Sequence, residues 1–286
     1  MIAESSFLKR DDHMNYIEIK GGLGNQIFQY VFSKYIQAKT SECSVLHVGF
    51  FEYVKNIPGA SVRSFDLDKF NTKYISVCGT IQCNRVVKEE EFRSDDILGS
   101  QSGETVFYRG YWQDKRFLEK AEERIMQDLT LKNEYINTDM SITAERMHMQ
   151  ESVSLHIRGT DYLQGVNRDI FASQDADYYR NALSVIRERC SGPIHIYVFT
   201  DDMDHANTIL RDINEDEYEI MPQAESYQDL WLMSQTKHHI IANSSYSFWG
   251  ARIGEEKEDK GYTVAPKLWF LRMKDPVLYP DDWIVM

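Results

Sequence analysis

The sequence predicts an α/β protein built on parallel sheets. Three observations carry this. Short apolar runs with period-two alternation recur along the chain, at residues 16–19, 153–157 and 194–198. Stretches with helical spacing lie between them. Glycines, hydroxyls or carboxylates follow directly on the strands, as in Gly21-Gly22-Leu23-Gly24, Thr200-Asp201-Asp202 and Asn243-Ser244-Ser245. Strands alternating with helices make βαβ units, and βαβ units make a parallel sheet.

The elements follow in order. Residues 1–13 are polar and charged without a usable period and read as a disordered extension, with Met14 a possible start. Tyr16-Ile17-Glu18-Ile19 alternates as a strand. After the glycine turn, Ile27, Tyr30, Val31, Lys34, Tyr35 and Ala38 put one apolar face on a helix. Val45–Val48 reads as a second strand. Residues 50–105 resist assignment beyond a charged stretch at Lys88-Glu89-Glu90-Glu91. Val106-Phe107-Tyr108 is a strand leading into Arg109-Gly110-Tyr111-Trp112-Gln113. Phe117, Leu118, Ala121, Ile125 and Leu129 then share a helix face, and residues 130–150 read as a linker or interdomain helix.

The second half is clearer. Val153, Leu155 and Ile157 alternate, then Tyr178, Ala182, Val185 and Ile186 mark a helix. Ile194, Ile196 and Val198 form the next strand, and Ala206, Ile209 and Leu210 the next helix. Ser226 caps a helix through Met233. His239–Ala242 is a strand, a helix begins near Phe248, and Tyr262–Ala265 is the last strand.

At 286 residues the chain has room for two domains. We expect a domain over 14–148 and another over 149–286. With 32 basic against 45 acidic residues the net charge is −13, so the global field does not draw in nucleic acid or anionic lipid. No apolar run reaches the ~18 residues of a membrane helix, and the start has no signal-peptide core. Cys43, Cys78, Cys83 and Cys190 form no C-x-x-C pair and read as reduced thiols in a cytoplasmic protein.

Four strand ends carry chemistry. The turn through Gly22, Gly24, Asn25 and Gln26 offers close backbone approach and helix N–H groups, but it has neither dinucleotide nor P-loop spacing. His156-Ile157-Arg158-Gly159-Thr160-Asp161-Tyr162 places a guanidinium fork, suited to phosphate oxygens, at a strand's carboxyl end. Asp201 and Asp202 there can accept guanine N–H groups or ribose hydroxyls, or cap the next helix. Asn243, Ser244, Ser245, Ser247 and Phe248 open a helix whose N-terminus suits a phosphate. Three D-x-D pairs, at Asp66, Asp175 and Asp202, discriminate nothing in so acidic a chain. His238-His239 lacks a partner at i+4 and gives no zinc site. Glu215-Asp216-Glu217 reads as a solvated loop, and there is no G-x-S-x-G elbow.

Together these segments resemble the α-1,2-fucosyltransferases, glycosyltransferase family 11, of the bacterial O-antigen type. Gly21-Gly22-Leu23-Gly24-Asn25-Gln26-Ile27-Phe28-Gln29-Tyr30 resembles the family's amino-terminal signature. His156–Tyr162 resembles its H-x-R-R-x-D-Y motif, with Gly159 in place of the second Arg. Gly110–Gln113, Phe199–Asp202 and Ala242–Ala251 are also similar to family segments.

The resemblance implies a GT-B fold, two Rossmann-like domains facing a central cleft, with the acceptor side in the first domain and the GDP-sugar side in the second. It implies inverting transfer of L-fucose from GDP-β-L-fucose to the 2-hydroxyl of a terminal galactose. The glycan would be a lipid-linked O-antigen repeat at the inner membrane surface. Arg158 would grip the pyrophosphate. His156 with Asp201 or Asp202 would lie near guanine and ribose, and Asn25 would face the sugar. Asp161 is a candidate general base. No metal and no cofactor is expected, because fixed cations and helix N-termini do that work. Two alternatives stay open: a related fucosyltransferase with another acceptor, and a non-catalytic GDP-sugar or glycan binder.

Overall fold

A computed structural model describes residues 14–57, 63–91, 104–119, 122–159, 170–213, 218–256, 259–271 and 278–286. The expected extension at 1–13, the loop at Glu215-Asp216-Glu217, and Asp161 with Tyr162 lie outside the described residues. The chain forms two compact units. The first draws on Met1–Phe65, Thr72–Trp112 and Arg116–Ile125, the second on Asp66–Asn71, Gln113–Lys115 and Met126–Met286.

The first unit holds a five-stranded, all-parallel sheet. Its strands are β1 (Asn15–Glu18), β2 (Ser44–His47), β3 (Ile75–Val77), β4 (Arg85–Lys88) and β5 (Val106–Arg109), in the order β3-β2-β1-β5-β4. Helix α1 (Leu23–Thr40) follows β1 through Gly21, whose φ of +79° suits glycine. The helix ends at Ser41, which is left-handed and returns its N–H to Gln37 O.

The sequence predicts one apolar face on α1. The structure instead buries nearly every residue from Leu23 to Ile36, sparing Asn25 and Lys34. The extra burial comes from aromatic packing: Phe32 lies flat on Trp112 with ring centroids 3.8 Å apart, and Tyr108 and Phe117 meet it edge-on. Each such buried ring contributes on the order of 1.5–3 kcal/mol. Helices α2 (Phe50–Val54), α3 (Lys115–Glu119) and α4 (Glu122–Asp128) follow, the last two each running across a unit boundary.

The second unit carries a six-stranded parallel sheet: β6 (Glu151–Ile157), β7 (Ile194–Thr200), β8 (Tyr218–Ile220), β9 (His238–Ile240), β10 (Thr263–Ala265) and β11 (Ile284–Val285). Their order is β11-β10-β9-β6-β7-β8. The helices are α5 (Thr138–His148), α6 (Ala176–Arg187), α7 (Met203–Ile213), α8 (Ser226–Gln235) and α9 (Ser245–Gly254). The core joins Val153, Leu155 and Ile157 of β6 to Tyr179, Ala182 and Ile186 of α6 and Leu210 of α7.

Of the linker or interdomain helix expected over 130–150, the structure shows a helix at 138–148. Asn137 caps α5 by accepting the Met140 N–H at 2.9 Å, and Met140, Ala144 and Met147 are buried, so the helix belongs to the second unit. At α8, Glu225 rather than Ser226 holds the cap position, its N–H donated to Gln228 Oε1 at 3.2 Å.

Candidate active site

In the second unit the topology brings three of the predicted segments together. Strand β6 runs between β7 and β9, with Ile157 opposite Thr200 and Leu155 opposite Ile240. The residues just past these strands, Arg158-Gly159, Asp201-Asp202 and Asn243-Ser244, therefore share the carboxyl edge of the sheet, where open α/β sheets bind ligands.

Arg158 is fixed there. Its Nη1 forms an ion pair with Asp201 Oδ2, and Asp201 Oδ1 accepts the Gly159 N–H at 2.9 Å. One carboxylate thus holds both the guanidinium and the backbone that carries it. Asp202 has a different task. Its Oδ1 accepts the His205 N–H at 3.0 Å, which caps α7, and its own N–H is donated to Thr200 Oγ1. The missing second Arg of the motif now has a steric account: a Cβ on Gly159 would collide with the Asp202 side chain.

His156 points into the protein and is 4% exposed. Burial, reinforced by the Arg158 charge, holds its imidazole down to about 4, so it is neutral at ordinary pH. Its Nδ1 is buried with no hydrogen-bond partner among the described residues, and its ring lies 6.0 Å from that of Tyr246. The Tyr179 hydroxyl donates to His156 O at 3.0 Å, tying the strand end to α6.

Helix α9 opens beside this edge. Ser244 is its cap, accepting the Tyr246 N–H. Asn243 is buried and donates to Trp269 O at 2.9 Å. Ser247 and Phe248 face inward, Ser247 bonding to Ser244 O and Phe248 packing on Trp249 and Trp283. These three hold the loop and helix in place; Ser244 and Ser245 stand at the helix start.

Sequence reasoning passed over two carboxylates here. Asp66, part of a discounted D-x-D pair, accepts the Ser226 hydroxyl at 2.6 Å and belongs to the second unit. Asp229, on α8, is pushed up to about 6 by burial, against a backbone hydrogen bond that favours its ionised form. Both lie close enough to the buried Tyr246 hydroxyl to oppose its ionisation, which burial already drives well above the usual range. No local pattern marks Asp229; only the fold buries it.

The first unit offers a different edge. Gly22 caps α1 without a side-chain hydrogen bond, and Gly24 is buried in the first turn. Gln26 is fully buried, donating its Nε2 to Gly21 O at 3.0 Å and Ser64 O at 2.7 Å. Gln29 accepts the Lys20 N–H and donates to Gly110 O. Asn25 is half-buried beside Gly21.

One further cluster matters for metal chemistry. Among the described residues, donor atoms of Glu151, Cys190 and His238 lie within 4.8 Å of one another, at the opposite end of the sheet from Arg158. His238 Nδ1 accepts the Tyr262 N–H at 3.0 Å, so the ring proton sits on Nε2, where it donates to Glu151 Oε2 at 2.9 Å. A metal on Nε2 would have to displace that proton against the Tyr262 N–H. The geometry favours a hydrogen-bonded tie between β6 and β9, and those bonds from His238 and Lys237 hold Glu151 below the usual carboxylate range.

Comparison with known proteins fits this geometry. The family model described as "Glycosyl transferase family 11" matches residues 84–283. An α-1,2-colitosyltransferase of Escherichia coli is 30% identical over 288 residues, covering 93% of this chain and 96% of the relative. The Escherichia coli O-antigen biosynthesis glycosyltransferase WbnK is 30% identical over 313 residues, covering 94% and 99%. Among solved structures, the NodZ α-1,6-fucosyltransferase of Bradyrhizobium, soaked with GDP-fucose, is similar at a TM-score of 0.54. It is 12% identical, over 85% of this chain and 92% of that one, a likeness of fold. The fold is therefore of the GT-B type, an α/β architecture with two parallel sheets, and no helix among the described residues is long and apolar enough to cross a membrane. With its Arg158 edge intact and matches spanning most of its length, the chain belongs to glycosyl transferase family 11.

Proposed function

We propose that this glycosyltransferase moves L-fucose from GDP-β-L-fucose to the 2-hydroxyl of a terminal galactose, with inversion, forming an α-1,2 linkage. The observation that carries the reading is the Arg158 fork, oriented by Asp201 at the carboxyl edge of β6 and flanked by the start of α9. Transfer needs a stabilised diphosphate leaving group, an in-line attack and removal of the acceptor proton. Arg158, beside the start of α9, answers the first need electrostatically and without a metal. Asp201 positions Arg158, its Oδ2 paired with the guanidinium and its Oδ1 accepting the Gly159 N–H, and the remaining lone pairs of the carboxylate can accept from guanine or ribose. His156, neutral and buried, lines the same edge beside the nucleotide. Asn25 acts on the sugar and Asp161 is the base in this reading.

The acceptor is a glycan, lipid-linked in the setting that the O-antigen relative suggests, and the site of action is the cytoplasmic face of the inner membrane. The test is an incubation of the protein with GDP-fucose and a panel of galactose-terminated disaccharides, following GDP release and assigning the product linkage by NMR. A binder without turnover shows GDP-induced thermal stabilisation and no GDP release with any galactoside.

The colitosyltransferase relative favours a second reading, transfer of colitose, the 3-deoxy counterpart of fucose. Direct competition between the two GDP-sugars separates the readings by their kcat/KM ratio. Chelator dialysis tests metal independence: unchanged turnover supports it, and a rate restored only by Mn²⁺ or Mg²⁺ refutes it.

A further inference from the structure

A cavity of about 640 Å³ opens in the first unit at the carboxyl ends of its central strands. It is not part of the Arg158 edge. Its wall is aromatic: Phe50 and Tyr53 from α2 and Phe107 from β5. Tyr53 is 67% exposed, so its ring is accessible to a ligand at this wall. Its charged groups are Glu18, Lys20 and Arg109. Glu18 sits between the two cations, 2.8 Å from Lys20 Nζ and 3.3 Å from Arg109 Nε. Two cations against one carboxylate leave a local positive charge, within a chain whose net charge is −13.

The arrangement of Arg109 is specific. Its guanidinium lies 5.6 Å from the Phe107 ring centroid and meets Glu18 through Nε. Among the described residues no acceptor hydrogen-bonds its two terminal nitrogens, and the side chain is 52% exposed. A planar fork with both terminal donors open matches two oxygens of one oxyanion. Aromatic faces beside it match the apolar face of a pyranose ring.

We propose that this cavity binds an anionic pyranoside, a sugar bearing a carboxylate or a phosphate, with the oxyanion on the Arg109 fork and the ring against Tyr53 and Phe50. Lys20 and Glu18 supply a donor and an acceptor for ring hydroxyls. That such a sugar forms part of the acceptor glycan rests on the transferase reading above; the binding itself does not.

Cys78 and Cys83 line the same cavity and are exposed free thiols, so they report occupancy. The full chain is titrated calorimetrically with methyl galactosiduronate, galactose 1-phosphate, methyl galactoside and inorganic phosphate. The same probes are then tested for protection of Cys78 and Cys83 from iodoacetamide, read by mass spectrometry. We expect one or both anionic sugars to bind at least tenfold tighter than methyl galactoside and to protect the thiols. The pattern between the two tells a uronate from a sugar phosphate. Arg109→Gln should remove that preference, and Tyr53→Ala should weaken every sugar while leaving inorganic phosphate unchanged. Equal binding of neutral and anionic sugars, no thiol protection, or inorganic phosphate binding as tightly as the anionic sugars overturns the proposal. GDP binding, measured on the same samples, separates the two readings: its absence in the unaltered chain counts against the transferase reading and leaves the cavity result standing.

Discussion

The two sheets end in the same way and use their polar groups differently. At the glycine turn after β1 in the first unit two buried glutamines serve the backbone: Gln26 holds Gly21 and Ser64, and Gln29 bridges Lys20 and Gly110. At the β6 edge of the second unit a carboxylate holds a guanidinium, and a neutral histidine lies buried behind it. The first arrangement fixes the shape of a turn. The second fixes a charge in space, which is what a diphosphate leaving group requires. The lesson is that a glycine-rich strand–helix turn does not by itself make an anion site, and that a single oriented arginine does more.

That contrast can be broken at several points. The largest effect belongs to Arg158. One charge-assisted contact is worth ~1.5–3 kcal/mol, and a fork makes two, so Arg158→Ala should lower turnover by about 100-fold or more. GDP release assays check this, and a loss within about threefold refutes the assignment. Next comes Asn25. A misplaced reacting group can cost ~100-fold, so Asn25→Ala should cut transfer toward that limit with GDP affinity nearly unchanged by calorimetry. Weak GDP binding with near-normal turnover reverses the division of labour between the units.

Gly159 sharpens the comparison from the steric side. Any side chain there meets Asp202, which caps α7. Gly159→Ala should destabilise the protein by ~1–3 kcal/mol, and restoring the motif Arg should cost no less. Chemical denaturation measures it. Pairing Gly159→Ala with Asp202→Gly should recover part of the loss, apart from the lost cap.

The smallest effects are in pH. The His156 pKa is depressed to about 4 from an ordinary 6.5, so the unfolded chain holds more protons between those values. Its stability contribution is whole above about 6.5 and is lost as the pH falls toward 4. Asp229 works in the opposite direction. Raised to about 6 from an ordinary 3.8, it makes ionisation costly as the pH climbs through that window. Asp229→Asn should therefore raise the melting temperature at pH 7 and change it little at pH 4, while His156→Asn should flatten the acid limb.

Much of this was legible beforehand. Strands β6 and β7 are seven residues long with apolar runs, and their ends carry the motif residues, so periodicity finds them. Strands β3, β8 and β11 have two or three residues and sit at or next to sheet edges, where pairing rather than pattern defines them. The positions of Arg158 and Asp201 follow from strand ends; that Asp201 serves Arg158 follows only from the β6–β7 register. Phe248 and Ser247 looked like ligand groups because they neighbour Ser244 in sequence, yet on α9 they turn inward. Asp229 and Asp66 were hidden for the converse reason, since burial and a distant Ser226 give them their character.

The most direct test of the central claim is amide hydrogen exchange with and without GDP. The account predicts protection concentrated at residues 156–159, 200–202 and 243–247, with residues 21–29 changed little. Protection confined to 21–29, with the Arg158 edge exchanging as in the free protein, contradicts it.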